Sequence, residues 1–358
     1  MSDETYAMND KPPMVELTQL GDVNIFQTLA CTNLSSFNET AFDSEVEGSL
    51  SNDQPFNITA QTSYGEFNLG LHVKDKALKV LDNRMRLLTA INEQLALQQR
   101  LPIKSLHWVN QVHDKQVYDI DQHTPSIYPV DADAMISRQD QLGLAIMTAD
   151  CVPIVLYQPA TGQIAAIHAG WQGLACGIIK ATAERFNSVG QIKAWIGACI
   201  SVDNYELGYQ VREKLLAGCI ENQSLSAAAI HKFDQLFCTA ADVVTASSHT
   251  KSSYPKPDYL HKAVDNFADS AKVIVKNKTI DSLFVTERTT ERTTEDKIKL
   301  DLPKLAAYQL QSAGINVGND DYPCSYADQR YYSYRRQTHL QQSATGRMAL
   351  IIVRSPAI

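Results

Sequence analysis

A chain of 358 residues, 44% hydrophobic and 8% aromatic, can bury a substantial core in one large domain or two ordinary ones. Its formal net charge of −8, with Lys and Arg in no cluster beyond short pairs, argues against a broad surface for nucleic acid or anionic lipid and favours small-molecule partners. No apolar run approaches the roughly 20 residues that a membrane-crossing helix needs, and seven scattered cysteines without a C-x-x-C pair argue against a disulfide framework or a zinc ribbon. A monomer in the reducing cytoplasm is expected.

Residues 1–20 begin polar and acidic, at Asp3, Glu4 and Asp10, without the cationic start and apolar core of a secretory signal, and read as a mobile leader before one domain over residues 21–358. Residues 40–63 are acidic and aperiodic, which marks a surface insertion. Next, "FNLGLHVKDKALKVLDNRMRLLTA" (67–90) passes into a helical pattern in which Leu78, Leu81, Met85 and Leu88 are expected to face the core. "LGLAIMTA", "VPIVLY", "QIAAIHA" and "QIKAWIGACI", between residues 142 and 200, have the pattern of buried strands, with Pro153 expected at an edge or bulge. Between the last two, "GLACGIIKATAERF" predicts a helix with Leu174, Ile178, Ala181 and Phe186 on one face and Lys180 and Glu184 on the other. Periodicity loosens over residues 221–297, a second surface insertion ending in the Thr/Glu/Arg quasi-repeat "TERTTERTTEDK". A final helix is signalled by Asp301 as cap, Pro303 in the first turn and Gly314 at the exit, and the chain closes on the apolar strand "MALIIV".

Chemistry concentrates in His113 of "NQVHDKQV", Cys151 of "TADCVP" and His168 of "HAGWQG". Their separations match no short zinc-finger spacing, so the fold itself would have to assemble any site from separate strand ends. One thiolate and two neutral imidazoles would give Zn²⁺ three ligands and leave a fourth position for water or substrate. Taken singly, His113 reads as a hydrogen-bonded surface histidine and Cys151 as a small buried hydrophobe. His168 is less ordinary, because it ends a strand just before Gly170, Gly173 and a helix start. Asp150, Asp131 and Asp133 are candidate proton carriers or structural carboxylates. Tyr334 is a candidate for stacking on a base, and Arg335 or Arg336 for holding phosphate.

In this order, "NLGLHVKD…NR", "NQVH", "DADAMIS", "TADCVPIVLY", "IAAIHAGWQG", "AWIGACI", "YELG" and "YYSYRR…TGR" resemble the bacterial laccase-domain family, known as polyphenol oxidases, as purine nucleoside phosphorylases and as peptidoglycan editing factors. The resemblance implies a single α/β (α+β) catalytic domain of two packed mixed β-sheets flanked by helices, a four-layer α-β-β-α arrangement. It implies metal ligands at His113, Cys151 and His168, with zinc the usual metal and copper the other candidate. It also implies phosphorolysis of adenosine, inosine and methylthioadenosine, with adenosine deamination beside it. Nucleoside and phosphate are then the expected partners, with Gln172, Asn33, Tyr334, Arg335 and Arg336 as substrate-binding residues and Asp150 beside the three ligands as a catalytic one.

Three positions depart from the family. Gln172 stands where HAGWRG has arginine, Asn33 where an amino-terminal arginine is usual, and Asp114 where glycine is usual. Neutral amides bind anions more weakly than cations do, so phosphorolysis is expected to be weakened unless Arg335, Arg336 or Arg347 compensates. A metal-free alternative makes Cys151 the nucleophile and His168 its base in a thiol hydrolase or deamidase. Editing of cell-wall precursors is another alternative. A copper phenol oxidase ranks last, since nine histidines without paired motifs suit several copper centres poorly.

Overall fold

Nearly continuous apolar runs form strands buried along almost their whole length in the computed structural model, which describes residues 12–31, 64–122, 129–240 and 297–358. In chain order the strands begin with β1 (Met14–Leu20), β2 (Val23–Thr28), β3 (Ser105–His107), β4 (Val117–Asp119), β5 (Ala134–Ser137), β6 (Leu142–Thr148) and β7 (Val152–Gln158). They continue with β8 (Gln163–Ala169), β9 (Lys193–Ile196), β10 (Glu206–Gly208), β11 (Cys238–Ala240), β12 (Lys297–Leu300), β13 (Asn316–Val317) and β14 (Met348–Arg354). The helices are α1 (Ala77–Leu97), α2 (Trp171–Cys176), α3 (Ile178–Ala183), α4 (Tyr209–Glu221), α5 (Ala227–His231), α6 (Phe233–Phe237), α7 (Leu302–Ser312) and α8 (Tyr334–His339). All the described residues belong to one unit, residues 1–240 with 297–358.

Two mixed sheets dominate, one of five strands in the order β1-β2-β14-β6-β3 and one of six in the order β13-β9-β7-β8-β5-β4; a three-stranded β10-β12-β11 sheet is separate. Strand alternation sorts the core. Val155 and Tyr157 of β7, Ile164 and Ala166 of β8, and Leu350 and Ile352 of β14 meet between the two sheets. Ile154 and Leu156 point the other way, onto Leu174, Ile178, Leu215, Phe233, Phe237 and Leu305 of the helices. On the far side, Ala349, Ile351 and Val353 meet Leu87, Ile91 and Leu95 of α1. The layers are therefore helix, sheet, sheet, helix, the four-layer arrangement that the resemblance implies.

Several local expectations change. The expected mobile leader over residues 1–20 contains β1, an edge strand paired antiparallel to β2 through a turn in which Gly21 takes φ +56°. Its inward Glu16 is bonded by Asn24, Gln94 and Gln98, while Asp3, Glu4 and Asp10, on which the leader reading rests, lie outside the described residues. Helix α1 exists, but Leu78, Leu81 and Met85 point outward, at 83%, 46% and 70% exposure. The buried stripe is Val80, Leu87, Ile91 and Leu95, and its rotation is fixed by buried Asn83, whose amide donates to the Asn68 carbonyl at 3.0 Å. Pro153 lies not at an edge but second in β7, between β8 and β9, with its carbonyl accepting from Gly197 just past the end of β9. The expected helix after residue 173 is two short ones, α2 and α3, joined at Gly177 with φ +80°. Of the stretch after residue 221, residues 227–240 form α5, α6 and β11 and bury Ala229, Phe233 and Phe237; residues 241–296, most of the quasi-repeat among them, lie outside the described residues, as do residues 40–63. The final helix and strand stand where Asp301, Pro303 and the apolar run placed them, with the Asp301 carboxylate accepting from Lys304 N–H at 3.0 Å.

Candidate metal centre

Strand direction puts the chemistry at one end of the sheets. Because β3 and β6 are parallel, their carboxyl ends lie together, and each then crosses from the five-stranded to the six-stranded sheet, β3 toward β4 and β6 toward β7. His113 lies on the first crossing and Cys151 on the second. Antiparallel pairing of β7 with β8 sets Pro153 opposite His168, bringing the end of β8 to the start of β7. Three chain segments thus converge without any sequence spacing to announce it.

One ligand atom each from His113, Cys151 and His168 lies within 4.8 Å of the others. Cys151 Sγ is 3.9 Å from His113 Nε2, and the two imidazole rings stand edge to face with centroids 4.6 Å apart. His113 is exposed, Cys151 half-buried and His168 buried.

Asp133, fully buried, organises the cluster. One oxygen accepts from His168 Nδ1 at 2.8 Å and from the His113 backbone N–H at 3.0 Å. The other accepts from the backbone N–H groups of Asp114 at 2.7 Å and Val112 at 3.2 Å. The four bonds hold His113 in a left-handed turn at φ +63° and turn His168 Nε2 toward Cys151, the geometry of a carboxylate-oriented metal ligand. Burial would raise the Asp133 carboxyl, but His168 and the backbone donors outweigh it and keep it a carboxylate.

Cys151 and His168 titrate as a pair. Burial would raise the thiol, yet the His168 charge and the His113 hydrogen bond pull it below its ordinary value. Burial would lower His168, yet Cys151 and Asp133 raise it. Glycine keeps the space beside them open: a Cβ on Gly170 would stand 3.1 Å from Cys151 Sγ and 3.2 Å from His113 Cδ2, tighter than an ordinary contact. A thiolate, two imidazole nitrogens and a close glycine-lined approach fit a divalent ion of borderline softness.

The other sequence candidates have varied positions. Asp150 adjoins Cys151 at φ +106°, but its carboxylate accepts from Ser325 Oγ at 2.7 Å and from the Arg335 N–H at 2.6 Å, so it ties the turn to α8. Arg336 does not present its guanidinium to solvent; it donates to the carbonyls of Ser325, Tyr326 and Tyr331. Arg335 donates to the Glu206 carbonyl at 2.6 Å and lies over the Tyr205 ring, 5.3 Å from its centroid. Tyr334 is 38% exposed at the start of α8, and Gln172 is half-buried in the first turn of α2. Asp131 accepts from surface Asn110, and Asn33 lies outside the described residues. Two cavities, of about 280 Å³ by Lys180 and Gln309 and about 410 Å³ by Lys104 and Arg138, contain no member of the cluster. Sequence reasoning missed the organising part played by Asp133, the close approach of Gly170 and the nearness of His72, whose only signal was its place in "NLGLHVKD".

The family model described as multi-copper polyphenol oxidoreductase laccase matches residues 58–248 and 265–355. Purine nucleoside phosphorylase YfiH of Shigella flexneri is 37% identical over 156 residues, 43% of this chain and 59% of that protein. Purine nucleoside phosphorylase PA4543 of Pseudomonas aeruginosa is 34% identical over 166 residues, 46% of this chain and 62% of that protein. The chain thus spans about six tenths of the length of these curated relatives. In fold it is similar to Neisseria meningitidis protein NMB0706, with TM-score 0.55 and 21% identity over 95% of this chain and 98% of that one. YlmD from Geobacillus stearothermophilus gives TM-score 0.55 and 20% identity, covering 93% and 92%.

Proposed function

This chain belongs to the multi-copper polyphenol oxidoreductase laccase family, and from that membership we propose that it is a zinc-dependent purine nucleoside phosphorylase acting on adenosine, inosine and methylthioadenosine, with adenosine deamination as a side reaction. The names of its relatives support the reaction class. The observation that carries the reading is the convergence of Cys151, His113 and His168 ligand atoms within 4.8 Å, with His168 oriented by a buried carboxylate.

A divalent ion held by these three residues would supply Lewis-acid polarisation at the reacting centre. The chain's own residues set the stage for it. Asp133 fixes the His168 tautomer and the turn carrying His113, so that both imidazoles keep one bearing as substrate enters. Gly170 leaves space for a ligand at Cys151. Asp150 holds the amino end of α8, and with it Tyr334 and Arg335, against the Cys151 turn. Those two side chains supply an aromatic face and a guanidinium for a nucleoside.

The test is to assay the purified protein for metal and incubate it with adenosine, inosine and methylthioadenosine, with and without phosphate. Ribose 1-phosphate formed from inosine in proportion to bound zinc is the expected product. Inosine formed from adenosine without phosphate would make deamination the principal reaction, and no conversion of any nucleoside would overturn the reading.

The depressed Cys151 thiol beside a raised His168 also suits a metal-free thiol hydrolase, because a thiolate–imidazolium pair is the resting state of such enzymes. Rapid alkylation of Cys151 that chelator does not accelerate would favour that second reading.

A further inference from the structure

Phosphorolysis needs a seat for an oxyanion, and the residues expected to provide it are poorly equipped for one. Gln172 and Asn33 carry no charge, and Arg336 spreads both terminal nitrogens over the carbonyls of Ser325, Tyr326 and Tyr331. Two other guanidinium groups, carried by α1 and by the start of β14, act on one shared neighbour, His72. Arg84 of α1 donates through Nε and Nη2 to the Leu69 carbonyl at 3.0 and 2.8 Å and lies 4.2 Å above the Trp108 ring. Its Nη2 is also 3.5 Å from Met147 Sδ, and Met147 is clamped through its backbone by Gln111, two residues before His113.

Arg347 comes in along β14. The next residue, Met348, pairs with Thr148, three residues before Cys151. The Arg347 side chain donates through Nη1 to the Gly346 carbonyl at 3.0 Å and packs on Gly70, where a Cβ would meet Arg347 Cγ at 2.8 Å and His72 Cε1 at 3.4 Å. Gly70 therefore lets Arg347 and His72 close together. Asp75, the acid of this segment, is held by Asn68 Nδ2 and by the Lys76 N–H.

The electrostatics agree with an anion seat. Burial lowers Arg84 to about 10, and no carboxylate offsets that burial. His72 is driven down to about 4 by burial and then by the charges of Arg347 and Arg84, which places both guanidiniums close to one imidazole. Arg84 makes no ion pair among the described residues. A partly desolvated guanidinium with no counter-charge is expensive to maintain unless an anion completes it.

We propose that Arg84 and Arg347, with His72 beside them, form the oxyanion subsite that seats inorganic phosphate near the Cys151 centre. The proposal rests on the phosphorylase reading, since it names where that reaction's second substrate binds. It also explains how the chain can dispense with charge at Gln172.

The test titrates inorganic phosphate into the full-length protein, followed by ³¹P line width and calorimetry, for wild type, Arg84→Gln, Arg347→Gln and the exposed control Arg138→Gln. Each of the first two substitutions is expected to weaken phosphate binding by about tenfold or more, and to raise the phosphate KM by the same factor while the nucleoside KM moves less than about twofold. Arg138→Gln should behave as wild type. Should either variant fail to fold, phenylglyoxal labelling of the wild type reads the same point: phosphate should protect Arg84 and Arg347 and leave Arg138 reactive. Unchanged phosphate affinity in both variants, no protection, or no phosphate binding by wild type would overturn the subsite. Competition by inosine 5′-monophosphate without any by inorganic phosphate would also overturn it, by making the seat one for a phosphorylated substrate. Phosphate binding lost in the variants of a protein that cleaves no nucleoside would uphold the subsite and overturn the phosphorylase reading instead.

Discussion

Among single residues, Asp133 has the most to do and the least freedom. Its two oxygens accept four N–H donors, one from His168 and three from the turn carrying His113. Asn has one acceptor oxygen and would set an NH₂ against donors. Asp133→Asn is therefore expected to lower metal affinity by about 10–100-fold in competition with a chromophoric chelator. Asp131→Asn, at a surface carboxylate bonded to Asn110, should leave that affinity unchanged. Gly170 gives a second test at this scale. Its φ of −71° and ψ of 174° suit alanine, so Gly170→Ala introduces no backbone strain. The new Cβ, at 3.1 Å from Cys151 Sγ and 3.2 Å from His113 Cδ2, pushes two ligands apart instead. A metal affinity weakened by about tenfold at a nearly unchanged thermal midpoint is expected. A large drop in midpoint with metal affinity intact would show that Gly170 serves packing alone.

Secondary-structure elements differ in how openly the sequence declares them. Strands β6, β7, β8 and β14 are legible because burial on both faces leaves nearly unbroken apolar runs, and α7 because Asp301, Pro303 and Gly314 carry its start and stop. Strand β1 is not, since an edge strand with outward Val15 and Leu17 and inward Glu16 inverts the expected pattern. The rotation of α1 is hidden too, because two apolar stripes compete and buried Asn83 decides between them. At the site, Cys151 and His168 draw notice at strand ends, whereas His113 joins them only through the crossings between sheets. The β1–β2 turn contributes an ionic brace: Asp22 accepts from Tyr157 of β7 at 2.7 Å and from Arg354 of β14 at 2.7 Å. Burial would raise its carboxyl, but these two bonds bring it below the usual value. A folded-state pKa below the unfolded one means the brace contributes fully above about pH 4 and is lost as pH falls through the lower folded value. Asp22→Asn is thus expected to destabilise by about 1 kcal/mol at neutral pH, a deficit that shrinks as the medium is acidified. Urea midpoints along a pH series check this, and a deficit independent of pH would assign the effect to shape instead of charge.

For the whole molecule, the candidate metal centre joins segments that the sheets alone leave separate. His113 and Cys151 lie on two crossings from the five-stranded to the six-stranded sheet, and His168 closes a strand of the latter. Any ion that these three bind together is bound by the folded chain and not by the unfolded one, so it must stabilise the fold by mass action, by about 2.7 kcal/mol at a free concentration 100 times Kd. Removing it with chelator should lower the thermal midpoint by several degrees. Hydrogen exchange should quicken at residues 111–116 and 149–151, the two crossings, and stay slow in α1, whose core contacts lie on the outer face of the five-stranded sheet. Cys151→Ser should abolish the response to chelator while keeping the fold. Because the hydrolase alternative has no ion to lose, it predicts the same midpoint with and without chelator. The direction of that one comparison therefore decides whether the cluster is a bridge between the sheets or a reactive pair at their edge.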